Sequence, residues 1–272
     1  VVSVESFKKL PIILYLRKKI FEHKFSNHNN VNYFRGVFKS FAEATASAPA
    51  TKPIGYNNQA AAKLYKDRTK QIYSTDYPVL FWMKSYLPEI HRVFDFGGHV
   101  GIHFYAYSKY LDYNFIKEWT ICDVAAVVEE AKELAKDQSV DPDVNFCVKK
   151  LNFSNDISDC ENYDLFLASG SLQYLEWDLD EKLKMLSKPP RFLIINLLPL
   201  HEKYKTITLQ SIGASFCPYN VRLESDFING LQNIGYELVN KWNNEEKICN
   251  IAFEKERSLK SYKGMFFQLK PI

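Results

Sequence analysis

The densest chemical potential lies in one stretch, Asp95-Phe96-Gly97-Gly98-His99-Val100-Gly101, where an apolar run ends in an acid and then in closely spaced glycines. Glycine lets a backbone approach a ligand closely and enter conformations that other residues avoid. A helix expected to begin at Val100 adds the positive end of its dipole, which favours an anionic group. Two ligand classes fail on spacing. A P-loop needs Gly-Lys-Ser/Thr after the glycines, and none follows. A dinucleotide fingerprint starting at Gly97 needs glycine at His99 and Ile102, and one starting at Gly98 needs it at Val100 and His103. What remains is an acid followed by Gly-x-x-x-Gly, with Asp95, Gly97, Gly98, His99 and Gly101 as binding candidates. Histidine at 99 is chemically tolerable, because it enters the left-handed region more readily than most side chains.

Two further pieces belong beside this loop. Asp123 ends an apolar run at 118–122 and directly precedes a helical pattern. An acid there accepts hydrogen bonds from both hydroxyls of a ribose, and Val124 beside it is placed to press on a base. Capping the helix is compatible with that role. Downstream, the apolar run at 164–168 passes straight into Ser169, Gly170 and Ser171, then Gln173 and Tyr174. Strand ends of this type face the ligand crevice of an open α/β sheet. Asn152 and Phe153, past a third strand, are expected by the base.

The elements that must hold these residues alternate. Strands are expected over 92–96, 118–122, 145–151, 164–168 and 191–196, and helices over 100–111, 124–135, 180–186 and 223–234. Val124, Val127, Val128, Ala131, Leu134 and Ala135 carry the spacing of an amphipathic helix. Two last strands, 236–243 and 247–254, are joined at 243–246 by a turn too short for a parallel crossover, so one of them runs antiparallel. This pattern predicts an α/β fold with a Rossmann-like, mostly parallel sheet and a closing antiparallel hairpin. Residues 1–88 read as an N-terminal helical extension, with a loop at 45–51, and residues 89–272 as the main domain. Residues 204–219 interrupt the alternation after the fifth strand and are expected to form either an acceptor wall, with Tyr219 in it, or part of the packed core.

Composition narrows the partners. The net charge is +3, and no continuous basic stripe exists for a phosphate backbone, which argues against nucleic acid. Five cysteines, widely spaced and without C-x-x-C, point to reduced thiols in a cytoplasmic protein rather than disulfides or a zinc knuckle. No apolar run reaches the roughly 18 residues needed to span a bilayer, and no signal peptide is read at the start. Lys8, Lys9, Arg17, Lys18, Lys19 and Lys24 outnumber Glu5 and Glu22 in the first 26 residues. That basic helix is suited either to covering the main domain or, less commonly, to contact with an anionic membrane surface. His99 and His103 lack a third ligand, so no metal site is expected. Asp178 and Asp180 stand at a helix start, where acids favour the dipole in any case.

The acid and glycine spacing resembles the first motif of class I S-adenosylmethionine-dependent methyltransferases, in which glycine more commonly occupies the place of His99. More specifically, the chain resembles a family of such methyltransferases encoded among bacterial surface-polysaccharide and O-antigen genes. The likeness runs from about residue 33 to the end, through 34–44, 77–82, 94–101, 119–124, 168–175, Gly235, Tyr236, Trp242 and 262–264. Ala125 departs from the proline expected there. The resemblance implies S-adenosylmethionine as cofactor and a sugar-containing or other small-molecule acceptor. On that reading Ser169, Gly170 and Ser171 line the methyl-transfer end, Gln173, Tyr174 and Tyr219 meet the acceptor, and His103, Tyr174 and His201 are the available bases. A nicotinamide-dependent sugar oxidoreductase or epimerase, and a non-catalytic protein retaining the cofactor fold, remain as alternatives.

Overall fold

The computed structural model describes residues 11–29, 32–137 and 148–271. The basic start of the chain and residues 145–147 of the expected third strand lie outside the described residues. The chain opens with α1 (Pro11–Asn27), β1 (Tyr33–Phe38), the short helices α2 (Phe41–Ala46) and α3 (Gln59–Ala62), and α4 (Tyr77–Ser85). Then follow β2 (Arg92–Phe96), α5 (Ile102–Tyr107), β3 (Glu118–Cys122), α6 (Ala125–Lys136), β4 (Leu151–Ser154), β5 (Leu165–Ser169), α7 (Leu179–Leu183) and β6 (Phe192–Leu198). The last part holds β7 (Leu200–His201), β8 (Thr206–Ser211), β9 (Phe216–Leu223), α8 (Glu224–Asn233), β10 (Tyr236–Asn244), β11 (Ile251–Ala252) and β12 (Tyr262–Leu269).

Seven strands form the main sheet in the order β10-β12-β6-β5-β2-β3-β4. The five from β6 to β4 are parallel, and β12 is antiparallel to both β6 and β10. This is the expected α/β class with its Rossmann-like sheet. Val93, Phe94, Leu165, Phe166, Leu167, Leu193, Ile194 and Ile195 are all buried, as strands covered on both faces require. Val127, Val128, Ala131 and Leu134 are the buried stripe of α6, as their spacing predicts. From β2 the chain steps outward to β3 and β4, then returns to β5 on the other side of β2. A crevice opens where strand order reverses in this way, beyond the carboxyl ends of the strands.

Three expectations need correction. The closing hairpin pairs β10 with β12, not with 247–254. A strand inserted between β6 and β10 is covered on both sides, and 264–267 supplies that buried run whereas Lys247 and Glu254 do not. Of the expected strand, Ile251 and Ala252 pair in parallel with β1, and Cys249 makes an isolated antiparallel bridge to Leu259. Second, β4 covers 151–154, with Leu151 opposite Trp119 and Ser154 opposite Cys122, and residues 148–150 of the expected strand lie outside it. Third, the N-terminal extension is not helical throughout. Residues 33–38 are a strand, and they join a second sheet of order β11-β1-β8-β9-β7. The interrupting segment at 204–219 contributes the β8–β9 hairpin of that sheet.

The carboxyl-terminal half of α1 rests on this second sheet. Phe25 is buried and stacks on Phe216 at 5.1 Å between ring centroids, and Glu22 pairs with Arg35 at 2.9 Å. Among the described residues no helix is long and apolar enough to cross a membrane.

Candidate functional site

The glycine loop sits directly over the tips of its neighbours. Gly97 and Gly101 have φ of +68° and +91°, and His99 takes φ +54°, the left-handed conformation anticipated for it. A Cβ on Gly97 would collide with the Ser171 side chain. One on Gly98 would lie 2.6 Å from the Asp95 carboxyl carbon, and one on Gly101 2.8 Å from Ile121 Cδ1. Glycine is thus demanded from below, by packing against the chain itself. The Ser171 hydroxyl donates to the Phe96 carbonyl at 2.8 Å and so ties the β2 and β5 loops together.

Asp95 is fully buried beneath that loop. Its carboxylate accepts from His103 Nδ1 at 3.0 Å and from the Trp119 indole at 3.3 Å. Burial alone would depress the His103 pKa, but the charge and hydrogen bond of Asp95 outweigh it and the net shift is upward. The two groups satisfy each other inside the core. The structure therefore places Asp95 under the loop rather than among ligand contacts, and His103 is spent on Asp95 rather than free to act as a base.

Asp123 is arranged differently. It stands at the tip of β3, partly exposed, with Oδ2 accepting from the His99 backbone N–H at 3.0 Å and Oδ1 from the Val124 N–H at 2.7 Å. A carboxylate has about four lone-pair positions, so acceptor capacity is left for a ligand. Burial raises its pKa to about 6, against the lowering effect of the two backbone donors, and the negative charge of Asp95 adds to the rise. Val124 beside it is 37% exposed, an apolar side chain at a strand tip. The helix start is sound without proline at 125. Ala126 N–H, which Val124 leaves uncapped, is taken by Asn57 Oδ1 at 3.0 Å.

Asn57 belongs to a segment that local spacing did not reveal as part of the site. Residues 56–70 lie across the glycine loop. The buried His99 ring pairs through Nε2 with the Ala61 carbonyl at 3.2 Å and meets the Tyr65 ring edge-on at 5.5 Å. Burial lowers the His99 pKa to about 4, with the Arg68 charge pushing the same way and the Ala61 carbonyl opposing, so the ring is neutral near pH 7. Neutral imidazole with Nε2–H donating is the tautomer that fits this bond.

At the end of β5, Ser169 Oγ accepts from Asn196 Nδ2 at 3.2 Å. Asn196 also binds the Thr75 carbonyl, the Trp242 indole and Asn244, which makes it a four-way tie that the sequence did not single out. Gly170 has φ +73°, and its carbonyl accepts from Gln173 Nε2 at 2.7 Å. The half-buried Tyr174 donates to Gln210 Oε1 at 2.9 Å and accepts from the Tyr56 hydroxyl at 3.2 Å. Burial raises its pKa well above 10, which makes Tyr174 a hydrogen-bonding group rather than a base at neutral pH.

Other expected residues lie elsewhere. Asn152 and Phe153 are inside β4, where Asn152 donates to Glu118 at the opposite end of β3 (3.0 Å) and Phe153 packs on the main core. The residues beside Asp123 are Ser154 and Asn155, which bond to its backbone N–H at 3.1 Å and its carbonyl at 2.6 Å. Tyr219 is buried in the second sheet, with its hydroxyl on Tyr262 at 2.7 Å. His201 has both nitrogens engaged, Nε2 with the Glu256 carbonyl and Nδ1 with the N–H groups of Lys203 and Tyr204, and it is not a base at this site. Asp178 pairs with the buried Arg222 at 2.7 Å.

No protein-family profile matches the chain, and no curated protein sequence does. Among solved structures, the CcbJ methyltransferase of Streptomyces caelestis is similar with a TM-score of 0.48 and 11% identity, over 79% of this chain and 98% of that one. An S-adenosylmethionine-dependent methyltransferase from Clostridium acetobutylicum gives 0.47 and 12%, over 79% and 96%. The magnesium protoporphyrin IX methyltransferase of Synechocystis, solved with S-adenosylhomocysteine, gives 0.45 and 13%, over 72% and 82%. The fold stands on the chain's own strand order, not on likeness at this level.

Proposed function

We propose that this chain is an S-adenosylmethionine-dependent methyltransferase, with O-methylation of a sugar-containing, small-molecule acceptor as its reaction. One observation carries the reading. One strand from the reversal point of the sheet, at the tip of β3, Asp123 presents a carboxylate whose known partners are two backbone N–H groups, beside an exposed Val124 and a glycine loop that brings bare backbone to the same edge. That set suits an adenosyl group, with ribose hydroxyls donating to Asp123 and the adenine against Val124. Bound there, S-adenosylmethionine supplies an electrophilic methyl carbon on a sulfonium.

Little covalent help is needed for such a transfer, and positioning with exclusion of water supplies most of the rate. Asp95 and His103 would hold the loop from beneath, and residues 56–70 would cover it from above. Ser169, Gly170 and Ser171 would line the transfer end. Tyr56, Tyr174 and the buried Gln210 form a hydrogen-bonded row beyond it, with the two half-buried tyrosine rings edge-on at 4.9 Å, aromatic groups of the kind that take a sugar face. Calorimetric titration with S-adenosylmethionine, S-adenosylhomocysteine and NAD tests the reading. Binding of the first two but not NAD is expected. NAD alone would support the oxidoreductase, and no binding at all would leave a protein that keeps the fold without the cofactor.

A further inference from the structure

Helix α1 is held to the second sheet chiefly through its carboxyl-terminal half. Besides the Phe25 stack and the Glu22–Arg35 pair, the Arg35 guanidinium lies 4.7 Å over the Phe25 ring and the Thr51 hydroxyl bonds to the Ser26 carbonyl. All these ties fall in its carboxyl-terminal half. Toward the other end Ile12, Leu16 and Ile20, four residues apart, form a ridge 74, 52 and 57% exposed, with Tyr15 beside it. Phe25 is the helix's only fully buried residue, and the half-buried Phe21 packs on Tyr33 and Phe253, so the face opposite the ridge is the one that meets the protein.

Charge is concentrated in the same place. Within residues 11–27, Arg17, Lys18, Lys19 and Lys24 stand against Glu22, a net of +3 that equals the charge of the entire chain. Lys19 and Lys24 are exposed, and Arg17 and Lys18 lie over the ring of Phe253, itself 43% exposed. An apolar ridge with Lys19 set within it over the Tyr15 ring, on a molecule otherwise neutral, matches an anionic bilayer surface. Apolar side chains enter the acyl boundary while amines stay among the headgroups. We propose that α1, about 25 Å long, lies on an anionic lipid surface through Ile12, Tyr15, Leu16 and Ile20 and holds the protein there. A second copy of the chain fits this face less well, because pairing would bring two +3 helices together.

Co-sedimentation with phosphatidylcholine vesicles, with and without phosphatidylglycerol, tests the proposal. Binding is expected only with phosphatidylglycerol, and high salt should release it. The combined variant Ile12→Ser, Leu16→Ser, Ile20→Ser should lower the partition coefficient by at least about tenfold, with circular dichroism and thermal midpoint unchanged. Wild-type protein that stays in the supernatant at every composition overturns the proposal, as does a variant that binds undiminished. A wild-type dimer that the variant splits, seen by light scattering, would instead make this a self-association surface.

Discussion

Two aspartates at neighbouring strand ends, Asp95 on β2 and Asp123 just past β3, were both expected to touch the ligand, and the fold treats them in opposite ways. Asp95 is enclosed and matched to His103, whose pKa it raises, plus an indole donor. Asp123 is left at the edge with only backbone donors and a pKa raised to about 6. A buried charge is tolerated when it is paired, and it then acts on the backbone around it. A charge at a strand tip with spare lone pairs waits for a ligand. The two acids therefore divide the labour between building the loop and using it.

The sharpest way to break this comparison is to remove each acid in turn. Asp95→Ala leaves His103 without its partner in the core and should cost about 3–5 kcal/mol of stability, measured by urea unfolding. Asp123→Ala should cost little stability yet weaken S-adenosylmethionine binding about tenfold or more, since hydrogen bonds to a charged acceptor are worth about 1.5–3 kcal/mol. If both variants lose stability equally, the distinction fails. A subtler effect comes from pH. Ribose hydroxyls donate to the ionised carboxylate, so affinity should be flat above pH 7 and fall as pH drops through about 6, where Asp123 takes up its proton. Asp123→Asn should flatten that profile, and a dependence that persists in the variant belongs to another group. Smallest is His99→Gly. Relief of a left-handed side chain offsets the lost bond to Ala61, so stability should change by less than about 1 kcal/mol, while hydrogen exchange of residues 56–70 quickens. Unchanged exchange there would show that His99 does not hold the segment.

Much of the main sheet was readable because its strands are covered on both faces and must be apolar runs, as at 164–168 and 191–196. The glycine loop was readable because three positions allow no side chain. What escaped depends on contacts between distant parts of the chain. Asp95 looks like a ligand contact until His103 and Trp119 are seen to enclose it. Nothing in the local pattern of Asn57, Ala61 and Tyr65 marks them as covering a loop some 40 residues later. Strand β1 carries Arg35 and Gly36 among aromatics and reads as neither helix nor strand; its pairing with β8 and β11 decides it. The partner of β10 is hidden for the same reason: 247–254 is nearer in sequence, but only 262–269 has the buried face a central position demands.

A crystal structure with S-adenosylhomocysteine tests the central claim most directly. Both ribose hydroxyls should lie within about 3 Å of the Asp123 carboxylate, the adenine against Val124, and no ligand atom should reach Asp95. A compound bound at some other edge of the sheet, or in the crevice with its ribose turned away from Asp123, would contradict the account.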